Sequence, residues 1–150
     1  MRKSIRVSRN VGLNPIAQAV FRDKFRKQMI ASKIRVLSMQ PGEPCIELLE
    51  EITFVLAVVG KAYEIERLTT PVSNPEAIAA FGIVRGGISA ATQLAKHDKW
   101  EILQTVAMVK ALEAAENLLL GLHPINISKA TILLNHVAAD FRHDEQALKN

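Results

Sequence analysis

NPIAQAVFRDKFRKQMIASKIRVLSMQPGEP, residues 14–44, carries the full punctuation of one helix. Asn14 suits the N-cap, because its short side chain can accept one of the orphan backbone N–H groups of a first turn. Pro15 follows at the first helical position, where its missing N–H costs nothing. Apolar residues then recur at helical spacing to about Met39, and QPGEP (40–44) ends the run with two prolines around a glycine. The same opening returns at Asn74-Pro75, with Glu76 in the first turn, where a carboxylate complements the helix dipole.

Outward from these two starts, the rest of the chain falls into helices. The spacing predicts a second helix from near Cys45 to TTPVSNP (69–75) and a third from Pro75 to about His97. Asp98 is placed to cap a fourth, with Glu101 three residues on as a carboxylate version of the capping box. Gly121 and Pro124 should close that helix, and Asn126 or Ser128 should open a fifth that runs towards Asn150. In the fifth, Ala130, Leu134, Val137 and Phe141 share one face, with Lys129, His136, Asp140 and His143 opposite. Helix two is apolar almost all round from Ile52 to Val59, which marks it as the central member. Only SIRVS (4–8) alternates like a strand, and its charge makes it an extended arm. The expected fold is all-α: an up-and-down bundle of about five helices behind an extended basic N-terminal arm. Residues 1–13 form the arm and 14–150 a single helical domain.

A chain of 150 residues, 49% hydrophobic and 23% charged, can bury a core without disulfide or metal. The single cysteine, Cys45, rules out an internal disulfide and fits a reducing, cytoplasmic setting. Arg6, Arg9 and Asn10 interrupt any apolar run behind Arg2 and Lys3, so no secretory signal is expected. ITFVLAVVG (52–60) is too short to span a bilayer, so no membrane partner is expected either.

The charge is lopsided. Residues 1–39 hold ten Lys or Arg against Asp23 alone, a net +9, whereas residues 40–150 hold nine basic and fourteen acidic residues, a net −5. A basic arm (Arg2, Lys3, Arg6, Arg9) leading into a basic helix (Arg22, Arg26, Lys33) is an electrostatic footprint for nucleic acid. Lys24 and Arg35 form a second seam on that helix. The competing readings are a solvated surface, an acidic protein partner, or pairing with Glu43, Glu47, Glu50 and Glu51 of helix two. Helix one also has two apolar faces. Phe21, Phe25, Met29 and Val36 lie on one side, and Ile16, Val20, Ile30 and Ile34 on nearly the other. One face should meet the bundle and the other a second copy, as a homodimer.

Chemistry is harder to place. His136, Asp140 and His143 have metal-ligand spacing but face away from the apolar side of their helix, so no metal is assigned. Glu113 and Glu116 lack the following histidine of a di-iron bundle. Cys45 has no catalytic signature around it. Gly82, Gly86 and Ala90 leave one helix edge nearly bare, which suggests close helix packing; a break at Gly86-Gly87 that offers N–H groups to an anion is the alternative. Nucleophile elbow, dinucleotide fingerprint and His-Glu-x-x-His are all missing. The sequence thus predicts a non-catalytic regulatory or accessory protein without cofactor. It would contact nucleic acid through the arm and first helix, or act as an inhibitor or adaptor docking a partner through the second apolar face. A metal-dependent helical enzyme is the remote third.

Overall fold

The computed structural model describes residues 14–70 and 74–149, with side chains described as far as His136. The basic arm, residues 1–13, lies outside the described residues. Five helices follow in order: α1 (Pro15–Ser38), α2 (Ile46–Thr69), α3 (Pro75–Ala95), α4 (Ile102–Gly121) and α5 (Pro124–Lys149). The fold is the expected all-α, up-and-down bundle. Both Asn-Pro openings act as the sequence indicates: Asn14 Oδ1 accepts from Ala17 N at 2.8 Å, and Asn74 Oδ1 from Glu76 N at 3.0 Å.

Helix α2 is the hub. It packs against all four other helices, and its buried residues run almost round the cylinder, from Leu48, Leu49 and Ile52 through Val58 and Val59 to Ala62 and Tyr63. The most extensive pairing, however, is between α3 and α4. It brings Val84, Gly87, Ala91 and Leu94 against Met108, Ala111, Leu112 and Ala115 in one core. Gly87 sits so close to α4 that a Cβ there would lie 2.3 Å from the Ala111 methyl. Gly82 and Gly86 have nothing within 4 Å and are exposed. The close approach anticipated at Gly82, Gly86 and Ala90 therefore belongs to Gly87, about 100° round the helix. The helix runs unbroken through all three glycines.

The two loops at one end of the bundle are tied together. Gly42 N donates to Trp100 O at 2.8 Å, and Trp100 N donates to Glu43 O at 2.9 Å. Gly42 has φ +85°, a conformation that favours glycine and turns the chain back into this bridge. Trp100 is buried, and its indole N–H donates to Thr105 Oγ1 at 3.0 Å.

Asp98 does cap a helix, but not the one that follows it. The α4 N-cap position is held by Glu101, without a side-chain hydrogen bond. Asp98 instead adopts φ +46°, and its Oδ1 accepts from Cys45 N at 2.8 Å and Ile46 N at 3.0 Å, at the start of α2. Cys45 has no side-chain acceptor to do this itself, so the cap is borrowed from a distant loop. Asp98→Ala should cost about 1–2 kcal/mol in urea unfolding, since it removes the cap and keeps the left-handed backbone. Asp98→Asn, which retains an acceptor and tolerates that backbone, should cost less than half as much. Equal losses from the two would mean the cap is not what Asp98 contributes.

Helix α5 begins at Pro124, ahead of the expected Asn126 or Ser128. His123 explains the shift. Its Nδ1 accepts from Ile125 N at 3.2 Å, and its own N–H donates to Glu66 Oε1 at 2.9 Å. The first turn is thus fixed to α2, and Asn126 Nδ2 adds a bond to the same carboxylate at 3.2 Å.

Candidate functional site on the outer face of helix α1

Helix α1 is buried on one side only. Met29, Ser32 and Val36 are its buried residues, with Phe21 and Phe25 half-buried on the same side. Every buried position lies in the second half of the helix. Ser32, the one buried polar residue of the described core, is satisfied by donating Oγ–H to Glu51 Oε1 at 3.2 Å.

The other face is open. Ile16 is 78% exposed, Val20 49%, Ile30 36%, Ile34 59% and Leu37 62%. The two-faced character read from the sequence is therefore present in the folded chain: one apolar row is covered by the bundle and the other by nothing within the described residues. The outer row is also more regular than its four aliphatic members suggest. Ile16, Val20, Asp23, Lys27, Ile30, Ile34 and Leu37 follow one another at steps of four, three, four, three, four and three. That is the 3.5-residue seam of a coiled coil, apolar at both ends and charged in the middle. Asp23 and Lys27 form an exposed ion pair at 3.1 Å across one helical turn. Sequence reading found the four aliphatic positions and missed Asp23, Lys27 and Leu37. Counting the alternating steps, rather than grouping residues by hydropathy, recovers them.

The cations of α1 divide into two sets. Lys33 Nζ lies 3.4 Å from Glu116 Oε1 on α4, with both side chains about three-quarters buried. That carboxylate oxygen is itself buried and has no hydrogen bond among the described residues, so Lys33 is its electrostatic compensation. Arg35 donates to Glu51 Oε2, and Gln28 Nε2 donates to the other oxygen of the same carboxylate. Of the four glutamates that open α2, Glu51 is thus the one that meets the basic helix. Arg22, Lys24 and Arg26 differ: among the described residues no carboxylate lies within ion-pair distance of them. The structure brings Arg22 and Arg26 together as neighbours on the helix surface and turns Lys33 inward. Arg2, Lys3, Arg6 and Arg9 lie outside the described residues.

Among the described residues no group of three His, Cys, Asp or Glu side chains could hold a metal ion. His136 is exposed, and the side chains of Asp140 and His143 lie outside those described. Burial pushes the Cys45 thiol up from its ordinary range, and the neighbouring Asp98 carboxylate adds to the shift. The helix N-terminus does not turn Cys45 into a nucleophile, because its partial positive charge is already met by Asp98. Helix α3 alone among the described residues is long and apolar enough to cross a membrane, with 22% of that window buried in the bundle.

No protein-family model matches this chain, no curated protein does, and no solved structure does.

Proposed function

We propose that this chain is a non-catalytic helical binding protein that works through α1, and that the partner of its outer face is a second copy of itself. The observation that carries this reading is the symmetry of the exposed seam. About a point level with residue 25, Ile16 mirrors Ile34, Val20 mirrors Ile30, and Asp23 mirrors Lys27. Two copies laid antiparallel across a twofold axis would meet apolar on apolar at both ends and carboxylate on ammonium in the centre. A parallel arrangement would set Asp23 against Asp23 and Lys27 against Lys27, which costs free energy. The sequence continues the mirror one step further, from Leu37 to Leu13, a residue outside those described. Each aliphatic side chain is worth about 1.5–3 kcal/mol on full burial. Several from each copy outweigh an association cost of about 4–15 kcal/mol.

A second reading rests on Arg22, Lys24 and Arg26. Their lack of described carboxylate partners, beside the basic run Arg2, Lys3, Arg6 and Arg9, suits contact with nucleic acid. In a twofold dimer these groups would appear twice, and each copy would bring its own arm. An accessory or regulatory role on a polyanion follows from that arrangement. Lys33 takes no part in it, being committed to Glu116.

Light scattering at several salt concentrations, with and without a duplex oligonucleotide, tests both readings. The expected mass is twice that of the chain, and oligonucleotide capture should fall steeply as salt rises. A monomer at every concentration would remove the self-association reading and favour an adaptor that docks another protein on the same face. Failure to retain DNA or RNA at low salt would remove the polyanion reading.

A further inference from the structure

At about 100° per residue, Arg22 and Arg26 lie roughly a quarter-turn from the exposed seam on one flank of α1. Lys24 and Arg35 lie about as far round on the other flank. Arg26 is exposed and Arg22 half-buried, and no carboxylate among the described residues comes within ion-pair distance of either. The other cation of each flank is committed: Lys33, beside Arg22 and Arg26, to Glu116, and Arg35, beside Lys24, to Glu51. Asp23, the one acidic residue of α1, is held by Lys27.

A twofold axis that sets two α1 helices antiparallel stands perpendicular to the plane containing them, so each flank stays on its own face of the pair. One face therefore gathers Arg22 and Arg26 from both copies, and the opposite face carries only the two Lys24 as unpaired cations. With the axis level with residue 25, the two Arg26 lie about 3 Å apart along the helices and the two Arg22 about 9 Å. Across the seam the helix axes are about 8–10 Å apart. The result is two short rows of arginines that straddle the dyad, with no uncommitted carboxylate of α1 between them. Like charges so placed oppose the dimer, and an anion bound across the rows removes that cost.

We infer that this four-arginine face, an assignment that rests on the self-association reading, is a binding site for duplex DNA that only the dimer completes. Guanidinium groups match phosphate oxygens in geometry as well as charge. A lone phosphate reaches one or two of the four, and a single strand offers one row of phosphates to two rows of arginines. A duplex offers two rows, one on either side of a groove about 6 or 12 Å wide. Its backbone also has twofold symmetry across that groove, so one duplex seats on one dimer with the two axes in line. Binding and assembly then support each other: the duplex relieves the repulsion at the dyad, and the second copy supplies the second row.

Anisotropy of a fluorescent duplex of about two helical turns, titrated with the full chain at low salt and sedimented in the same buffer, tests this. Two chains per duplex are expected, and the duplex should drive pairing at chain concentrations where the protein alone is monomeric. Arg26→Gln should weaken duplex binding roughly tenfold and lower the slope of log affinity against log salt by about two, one for each copy. Lys24→Gln, the same charge change on the opposite face, should stay within about twofold of the parent. The corresponding single strand should bind roughly tenfold more weakly than the duplex. A chain that stays monomeric at every concentration, with and without duplex, would remove the self-association reading and this site with it. A dimer that fails to retain the duplex, binds the single strand as tightly, or is weakened equally by Arg26→Gln and Lys24→Gln would overturn the site and leave the dimer standing.

Discussion

Gly87→Ala is expected to destabilise the fold by about 2–4 kcal/mol, while Gly86→Ala, one residue earlier, stabilises it by about 0.5–1 kcal/mol. Both substitutions bring the same gain in helix propensity, since glycine costs a helix interior about 1 kcal/mol relative to alanine. They differ in what the new methyl meets. At Gly87 it would lie 2.3 Å from the Ala111 Cβ and 3.1 Å from Leu56 Cδ1. Leu56 can turn aside, but the Ala111 Cβ is fixed to the α4 backbone and has no rotamer to change. Relief therefore requires α3 and α4 to separate along their most extensive contact, which loosens Val84, Ala91, Met108 and Leu112 together. At Gly86 nothing lies within 4 Å, so only the propensity gain remains. Urea midpoints of the two variants, at unchanged slope, measure the difference. Combining Gly87→Ala with Ala111→Gly should return most of the loss, because the second change removes the methyl that the first one strikes. A Gly87→Ala protein as stable as the Gly86→Ala protein would refute the close approach.

That contrast also marks what could be read from the chain alone. Three glycines in one helix announce that something must approach it, yet periodicity does not say on which side. Gly82, Gly86 and Ala90 form the tidier row, but the neighbour lies on the side of Gly87, where Val84 and Ala91 are also buried. Local signals were legible wherever a residue acts on its own helix. Asn14-Pro15 and Asn74-Pro75 both begin helices because an N-cap side chain reaches only two or three residues. Asp98 was misread for the converse reason: its carboxylate serves a helix that began 52 residues earlier. The early start of α5 likewise depends on Glu66, 57 residues before His123. The α1 face was legible because an aliphatic row opposite a core row is a property of one helix. The fate of Lys33 was not, because Glu116 belongs to another.

The second large effect concerns α1. Asp23→Lys and Lys27→Asp are each expected to weaken the dimer by roughly a hundredfold, and a mixture of the two variants to restore it. In the antiparallel seam, position 23 of one copy faces position 27 of the other, and the twofold axis repeats that layer. Asp23→Lys sets ammonium against ammonium at both repeats, and Lys27→Asp sets carboxylate against carboxylate. When the two are mixed, every facing pair is again of opposite sign, so the heterodimer forms where neither homodimer does. Each layer need contribute only about 1.4 kcal/mol for the pair to reach that factor. The chain itself should hardly notice. Asp23 and Lys27 are exposed, with side chains 56% and 75% accessible, and an exposed pair of this kind adds well under about 1 kcal/mol to the fold. At concentrations low enough for the parent to be monomeric, the variants should therefore melt with it; at higher concentrations the parent alone gains stability from its dimer. High salt should soften the repulsion in each variant, because the layer lies at a solvated surface. Ile34→Asp gives the complementary result, since it puts a carboxylate opposite Ile16 at both ends of the seam and no mixture with the parent repairs it. Sedimentation of the two charge variants, separately and mixed, decides the matter: an unrelated protein docking on this face would not respond to mixing, and a parent-like dimer from either variant alone would exclude the antiparallel register.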